Sequence, residues 1–327
     1  MHRVPRASMR NGSRWRASVS PLWTGYNVPV RADRRTLALV ALAVLALVWG
    51  YNWVVTKVAV HDASPFTFAA WRTLGGGVAL VLTALALRKP LRPQFPIAFF
   101  WIGLFQTACF VGLITWAVVS GGAGQVAILA YTMPLWVSLL AWPFLGERVG
   151  PLQALAMLVA LAGIACMIGP LRSVGPADFL AVSAGLAWAI GIILTKRLQQ
   201  AQPIDLFGLT MWQMLFGGLV LSAVAIAVPS HPTVWTMPYI FAIAYNIVFA
   251  TALAYSLWTF VVDVLPARDA GMGTLANPVV GALAAWFQLG EVPTRLSATG
   301  MILIAAGLVL LSLADRRTSR AARAAQT

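Results

Sequence analysis

Trp49, Asn52, Trp53 and Thr56 fall at i, i+3, i+4 and i+7, so on a helix they share one face. That face carries an amide, a hydroxyl and two indoles, a set suited to recognition by hydrogen bonds and aromatic contact. Comparable sets recur along the chain: Gln106 and Thr107; Tyr131, Thr132, Trp136 and Ser138; Trp188 and Thr195. Asn246 is followed by Thr251, Tyr255 and Trp258 on one stripe, and Thr274 and Asn277 stand at i, i+3. No catalytic constellation accompanies them. His2, His61 and His231 lie outside the apolar stretches, no HExxH occurs, and no pair of acids sits within one. Cys109 and Cys166 read as small apolar fillers, without the spacing of a disulfide or metal site. A GxxxxGK[ST] loop is also missing, so neither an ATP engine nor any cofactor is expected.

The elements that position these residues follow from composition. The chain is 60% hydrophobic and 10% charged, against roughly 25% charged in a soluble domain. Ten apolar stretches, near 36–57, 65–87, 97–118, 124–145, 151–171, 178–197, 206–228, 237–262, 269–290 and 296–314, each suffice to cross a ~30 Å hydrocarbon core as a helix. The expected fold is an all-α membrane protein of ten transmembrane helices. The ~10-residue alternating segments of a membrane barrel do not occur. Polar side chains are costly in hydrocarbon unless they face protein or a wet cavity. The first, third, fourth, sixth, eighth and ninth spans carry them, and are expected to line a cavity around a small-molecule substrate. The fifth and tenth are almost wholly apolar through their middles and read as scaffold. Structural alternatives stand beside this reading. Trp and Tyr also anchor interfaces, and Ser or Thr bonds back to its own helix.

The net charge of +14 marks topology rather than a nucleic-acid partner. With ten crossings and the N-terminus inside, 19 of the 23 Lys and Arg fall on the inner side, as the positive-inside rule requires. Lys57, Arg172 and Arg295 fall outside, and Arg72 alone lies within a span. Both termini are therefore expected in the cytoplasm. Residues 1–35 form a basic tail without apolar periodicity, expected to be disordered or to lie upstream of the true start. Residues 315–327 form a second basic tail. The Arg34–Arg35 pair before an apolar run resembles a twin-arginine signal, but the run is of full span length and nine more follow.

The chain repeats itself. "PLWVSLLAWPFLGE" (134–147) and "PVVGALAAWFQLGE" (278–291) agree at seven of fourteen positions. "WGYNWVVTK" (49–57) meets "WAIGIILTK" (188–196), and "WRTLGGGVAL" (71–80) meets "WQMLFGGLVL" (212–221). Two units of five spans result, 36–171 and 172–314. Five is odd, so the second unit enters the membrane from the opposite face. Inverted repeats of this kind are a recurrent architecture of secondary transporters, with the substrate near the midplane between the halves.

Two five-span halves, each with a Trp in its first span and a Pro…Leu-Gly-Glu window in its fourth, resemble the EamA-type transporters of the drug/metabolite transporter superfamily. The resemblance covers roughly 36–314. It implies a bacterial inner-membrane carrier, often an exporter, of amino acids, related metabolites or toxic compounds. Its partners are the solute and the lipid bilayer, and it leaves room for a homodimer. One feature departs from the superfamily's small four-helix members, which carry a glutamate in their first helix for proton exchange. Here no acid lies mid-span. A non-transporting membrane sensor or assembly partner is the second reading, permitted by the basic tail but not needing polar stripes on six spans.

Several single residues carry expectations of their own. Pro134 and Pro278 sit near the middles of the fourth and ninth spans, where each removes a backbone hydrogen bond and predicts a kink. Glu147 and Glu291 stand before the fifth and tenth spans and are expected to cap those helices structurally. Lys57 and Lys196 read as snorkelling ends. Arg72 lies about seven residues, ~10 Å, into the second span, and its repeat partner is Gln213. Two accounts fit it: a snorkel to the outer interface with Asp62 or lipid phosphate, or a charge in the cavity that attracts a carboxylate.

Overall fold

The computed structural model describes residues 32–146, 150–168, 175–265 and 274–324. Glu147 lies outside them, as do residues 266–273. Among the described residues every regular element is a helix. The helices are α1 (Ala32–Ala59), α2 (Pro65–Ala86), α3 (Pro96–Ser120), α4 (Ala123–Ala130), α5 (Met133–Leu145) and α6 (Pro151–Ile168). They continue as α7 (Pro176–Ala201), α8 (Leu206–Ala227), α9 (from Met237 to Val264), α10 (Ala276–Leu289) and α11 (Arg295–Ala324). Seven helical segments are long and apolar enough to cross a membrane, counting α4 and α5 together, and Pro151–Cys166 and Arg295–Leu311 are shorter apolar helices. Large side chains such as Leu37, Val78, Phe179 and Ile226 lie exposed on the rim. In water such surface would be an aggregation hazard, and in a bilayer it meets lipid. The protein is a multi-pass membrane protein.

The fourth span is interrupted just before its proline. Pro134 has no N–H to offer Ala130 and its ring would crowd that carbonyl. The chain leaves the helix at Tyr131–Thr132, and Pro134 falls in the first turn of α5, where no donor is needed. The Thr132 hydroxyl donates to the Leu129 carbonyl at 2.7 Å, satisfying one of the exposed acceptors. Pro278 likewise stands in the first turn of α10, just after a turn at Leu275. Both prolines thus follow a turn in the backbone. At their far ends Gly146 and Gly290 take φ of 71° and 67°, the left-handed C-cap that glycine adopts at least cost. The repeated Leu-Gly therefore terminates both helices.

Contacts between the halves come in matched sets. α2 lies against α8, with Gly77 facing Leu215 and Gly218 facing Leu74; an added Cβ would stand 2.8 and 2.7 Å from the respective leucine methyls. α6 lies against α11 through Gly163 and Gly307, each within 2.8 Å of the other helix's backbone if given a Cβ. Small residues permit such approach, which is how helices gain dispersion contact where no hydrophobic effect separates them from lipid. α1 rests on α9 and α10, and in the other half α7 rests on α3 and α5.

Two stretches depart from α-helix, and they correspond. Gly103–Cys109 in α3 and Asn246–Leu253 in α9 are π-helical, and contain Phe-Gln-Thr-Ala (105–108) and Phe-Ala-Thr-Ala (249–252). Each packs on the second helix of the opposite half. Thr107 meets Gly217 and Thr251 meets Gly76, where an added Cβ would come within 2.6 and 2.8 Å. Short π segments often mark functional positions.

Candidate functional site

A polar and aromatic cluster gathers where α1, α2, α4, α9 and α10 meet. α1 supplies Trp49, Asn52, Trp53 and Thr56. Trp49 donates its indole N–H to the Ala250 carbonyl at 3.0 Å, inside the π segment of α9. Its ring lies 5.9 Å from Tyr255 and 6.0 Å from Trp258, the tilted geometry aromatic quadrupoles prefer. Trp53, one turn along, lies 6.3 Å from Tyr131. The Thr56 hydroxyl bonds back to the Asn52 carbonyl at 2.8 Å.

Arg72 enters this cluster from α2. Its Nη1 donates to Thr56 Oγ1 at 3.3 Å, and its guanidinium lies 5.9 Å from the Phe68 ring centre. It interacts electrostatically with Tyr255, which in turn lies within reach of Tyr131. Asp62, the expected partner, is engaged elsewhere. Its carboxylate accepts from the Thr236 hydroxyl, and its carbonyl from the Val234 amide. Arg72 thus bonds to Thr56 rather than to Asp62, and the account in which it reaches lipid phosphate stands beside the cavity account.

The two helix breaks meet here. Asn277, 1% exposed at the start of α10, donates Nδ2 to the Tyr131 hydroxyl at 2.7 Å. Its Oδ1 has no partner, and neither has Asn52 Oδ1 nor the Trp136 indole N–H. A buried polar atom without a partner costs ~1–3 kcal/mol, which makes these groups candidates for contact with a solute. Discontinuous helices meeting at mid-membrane are a known way to present backbone and side-chain polar groups to a solute.

The other expected residues have contacts of their own. Trp188 packs on Phe110 at 4.7 Å, and Gln106 is buried against Gly191, both in the α3–α7 contact. Asn246 is fully buried, donates to the Ala242 carbonyl of its own helix at 2.9 Å, and keeps an unpartnered Oδ1. The repeated Phe-x-Thr-Ala at a spacing of 144 is the sequence signal that marks both π segments.

Glu291 is placed differently from expectation. Its carboxylate does cap a helix, but that helix is α4: Oε1 accepts from the Ala123 amide at 2.9 Å and Oε2 from Gly124 at 3.1 Å. Lys57 donates to the carbonyls of Val118 at 2.6 Å and Gly121 at 2.9 Å, at the C-terminal end of α3. It is bound to protein rather than reaching for the interface.

Known proteins share sequence with this chain over most of its length. The EamA-like transporter family matches the chain twice, at residues 36–169 and 175–313. YoaV of Bacillus subtilis, described as a transporter, is 26% identical over 276 residues, covering 81% of this chain and 93% of its own. A probable amino-acid metabolite efflux pump of Salmonella typhimurium is 27% identical over 293 residues, 84% of this chain and 95% of its own. PecM of Dickeya dadantii is 25% identical over 279 residues, 83% of this chain and 91% of its own. A solved crystal structure aligns with a TM-score of 0.62 at 19% identity, covering 88% of this chain and 99% of the other.

Proposed function

Because this chain belongs to the EamA-like transporter family, we propose that it is a secondary transporter of small organic solutes bearing a carboxylate. It moves them by alternating access across the bacterial inner membrane, in the direction of export. Its ten spans form two inverted five-helix units, 36–171 and 172–314, with both termini in the cytoplasm. The observation that carries the substrate reading is Arg72. An arginine within a span costs ~2.5 to over 10 kcal/mol depending on the measure, and no carboxylate is bonded to it among the described residues. A solute carboxylate completes it. Trp49, Tyr255 and Trp258 supply a wall for the solute's apolar part, and Asn52, Tyr131 and Asn277 its hydrogen-bonding partners. Kinship with a probable amino-acid metabolite efflux pump supports the same class.

The test is counterflow of labelled amino acids and of their amide derivatives into proteoliposomes of the full chain. Carboxylated solutes exchange and the amides do not. Equal exchange of both would remove Arg72 from recognition, and no exchange of any solute would favour the sensor reading. Topology is checked separately, with periplasmic reporters active after Lys57, Gly121, Arg172, His231 and Glu291. Cytoplasmic signal is expected after Arg88, Arg148, Arg197 and Arg268, and at the C-terminus.

A further inference from the structure

The short turn between α3 and α4, Gly121–Gly122, is held by two opposite charges from elsewhere. Lys57, near the C-terminal end of α1, bonds to carbonyls at the negative pole of α3. Glu291, just past α10, bonds to two amides at the positive pole of α4. Each charge sits at the helix end it stabilises. The fit is close: a Cβ on Gly122 would stand 3.0 Å from Glu291 Oε2. Lys57 and Glu291 also attract each other.

The helices supplying the two charges differ in packing from the helices they grip. Lys57 and Glu291 belong to the group in which α1 rests on α9 and α10. The gripped turn joins α3 to α4, and α3 packs with α5 on α7. The bonds therefore tie one group to the other at one end of the bundle. Below the turn α4 itself bridges the groups, with Gly124 against Ala282. At the far end of the broken span α5 rests on α7.

We propose that Lys57 and Glu291 form a polar latch that closes the Lys57 end of the solute pathway and must release when that end opens. The proposal rests on the transport reading. In the repeat, Lys196 corresponds to Lys57, and the opposite orientation proposed for the second unit places it at the other end, away from this latch.

The experiment uses the full chain with Cys109→Ser and Cys166→Ser, and a single reporter, Ala127→Cys, on the fully buried face of α4 beneath the latch. A membrane-impermeant maleimide is applied from the side on which Lys57 lies. Glu291→Gln and Lys57→Met should each raise the labelling rate on the order of tenfold, the scale of one lost charge-assisted hydrogen bond in one of two states. Lys196→Met should leave it at or below the parent rate. The exchange Lys57→Glu with Glu291→Lys keeps an ion pair but reverses both helix poles, so it should stay as accessible as the single variants. The latch is overturned if Glu291→Gln and Lys57→Met label at the parent rate, or if Lys196→Met raises the rate as they do. Glu291→Gln keeps the side chain's shape, and monodispersity in detergent verifies folding of every variant. Labelling needs no solute, so a failed solute assignment leaves this result readable.

Discussion

Arg72 on α2 and Gln213 on α8 occupy corresponding places in the two halves, in surroundings that otherwise match closely. Both neighbouring helices carry the same interlock of glycine and leucine, Gly77 with Leu215 and Gly218 with Leu74. Both meet a π segment through a glycine and a threonine. Yet Arg72 reaches Thr56 and the Tyr255 side of the cluster, whereas Gln213 is buried with an unpartnered Oε1. Packing is repeated and charge is not. A carrier that exchanges two conformations needs matching scaffolds for the exchange, but a solute with a carboxylate at one end needs an asymmetric site.

The repeated packing predicts the largest effects. Gly76→Val and Gly217→Val each drive a side chain into the threonine of a π segment, at a cost of ~1–3 kcal/mol or more for overpacking. Both should lower the yield of monodisperse protein, and by similar amounts. A loss confined to one would show that the halves do not share the load. Substitution at the asymmetric pair comes next. Arg72→Gln copies the other half, and should cut exchange of carboxylated solutes by at least about tenfold at unchanged membrane abundance, the size of a lost charge-assisted bond. Gln213→Leu should leave exchange near the parent rate. If Arg72→Gln lowers abundance instead, the arginine is structural.

Smaller changes are expected at the helix breaks. Tyr131→Phe removes the bond from Asn277 that joins the two helix ends, and interhelical bonds in membranes average ~0.6 kcal/mol. A two- to threefold fall in exchange rate, about what that energy allows, is the expected result. Pro134→Ala and Pro278→Ala restore the missing donors, and should alter exchange more than abundance. Normal exchange in both would make the breaks incidental. The smallest effect belongs to the tail: deleting residues 2–30 should leave insertion and exchange intact, because Arg31, Arg34 and Arg35 still precede the first apolar stretch.

Much of the scaffold was legible before any coordinates. Apolar runs mark the helices, and the Leu-Gly that ends α5 and α10 is written twice because a left-handed C-cap strongly favours glycine. The polar stripe of α1 is read from its spacing alone, since helical periodicity is a local property. Pro134 and Pro278 announced a disturbance, but local rules do not choose between a bend and a break. The packing of Tyr131 on Trp53 and its bond to Asn277 accompany the break. Glu291 was readable as a helix cap, but the helix it caps begins 168 residues earlier in the chain. Lys57 finds carbonyls 61 residues away, and Arg72 bonds to Thr56 while Asp62 bonds to Thr236. Sequence by itself determined where the chain becomes helix, where helices stop and which residues recur, because those depend on neighbours within a turn or two. Tertiary structure decided which charge meets which pole and which polar atoms remain open, because those depend on how distant helices approach one another.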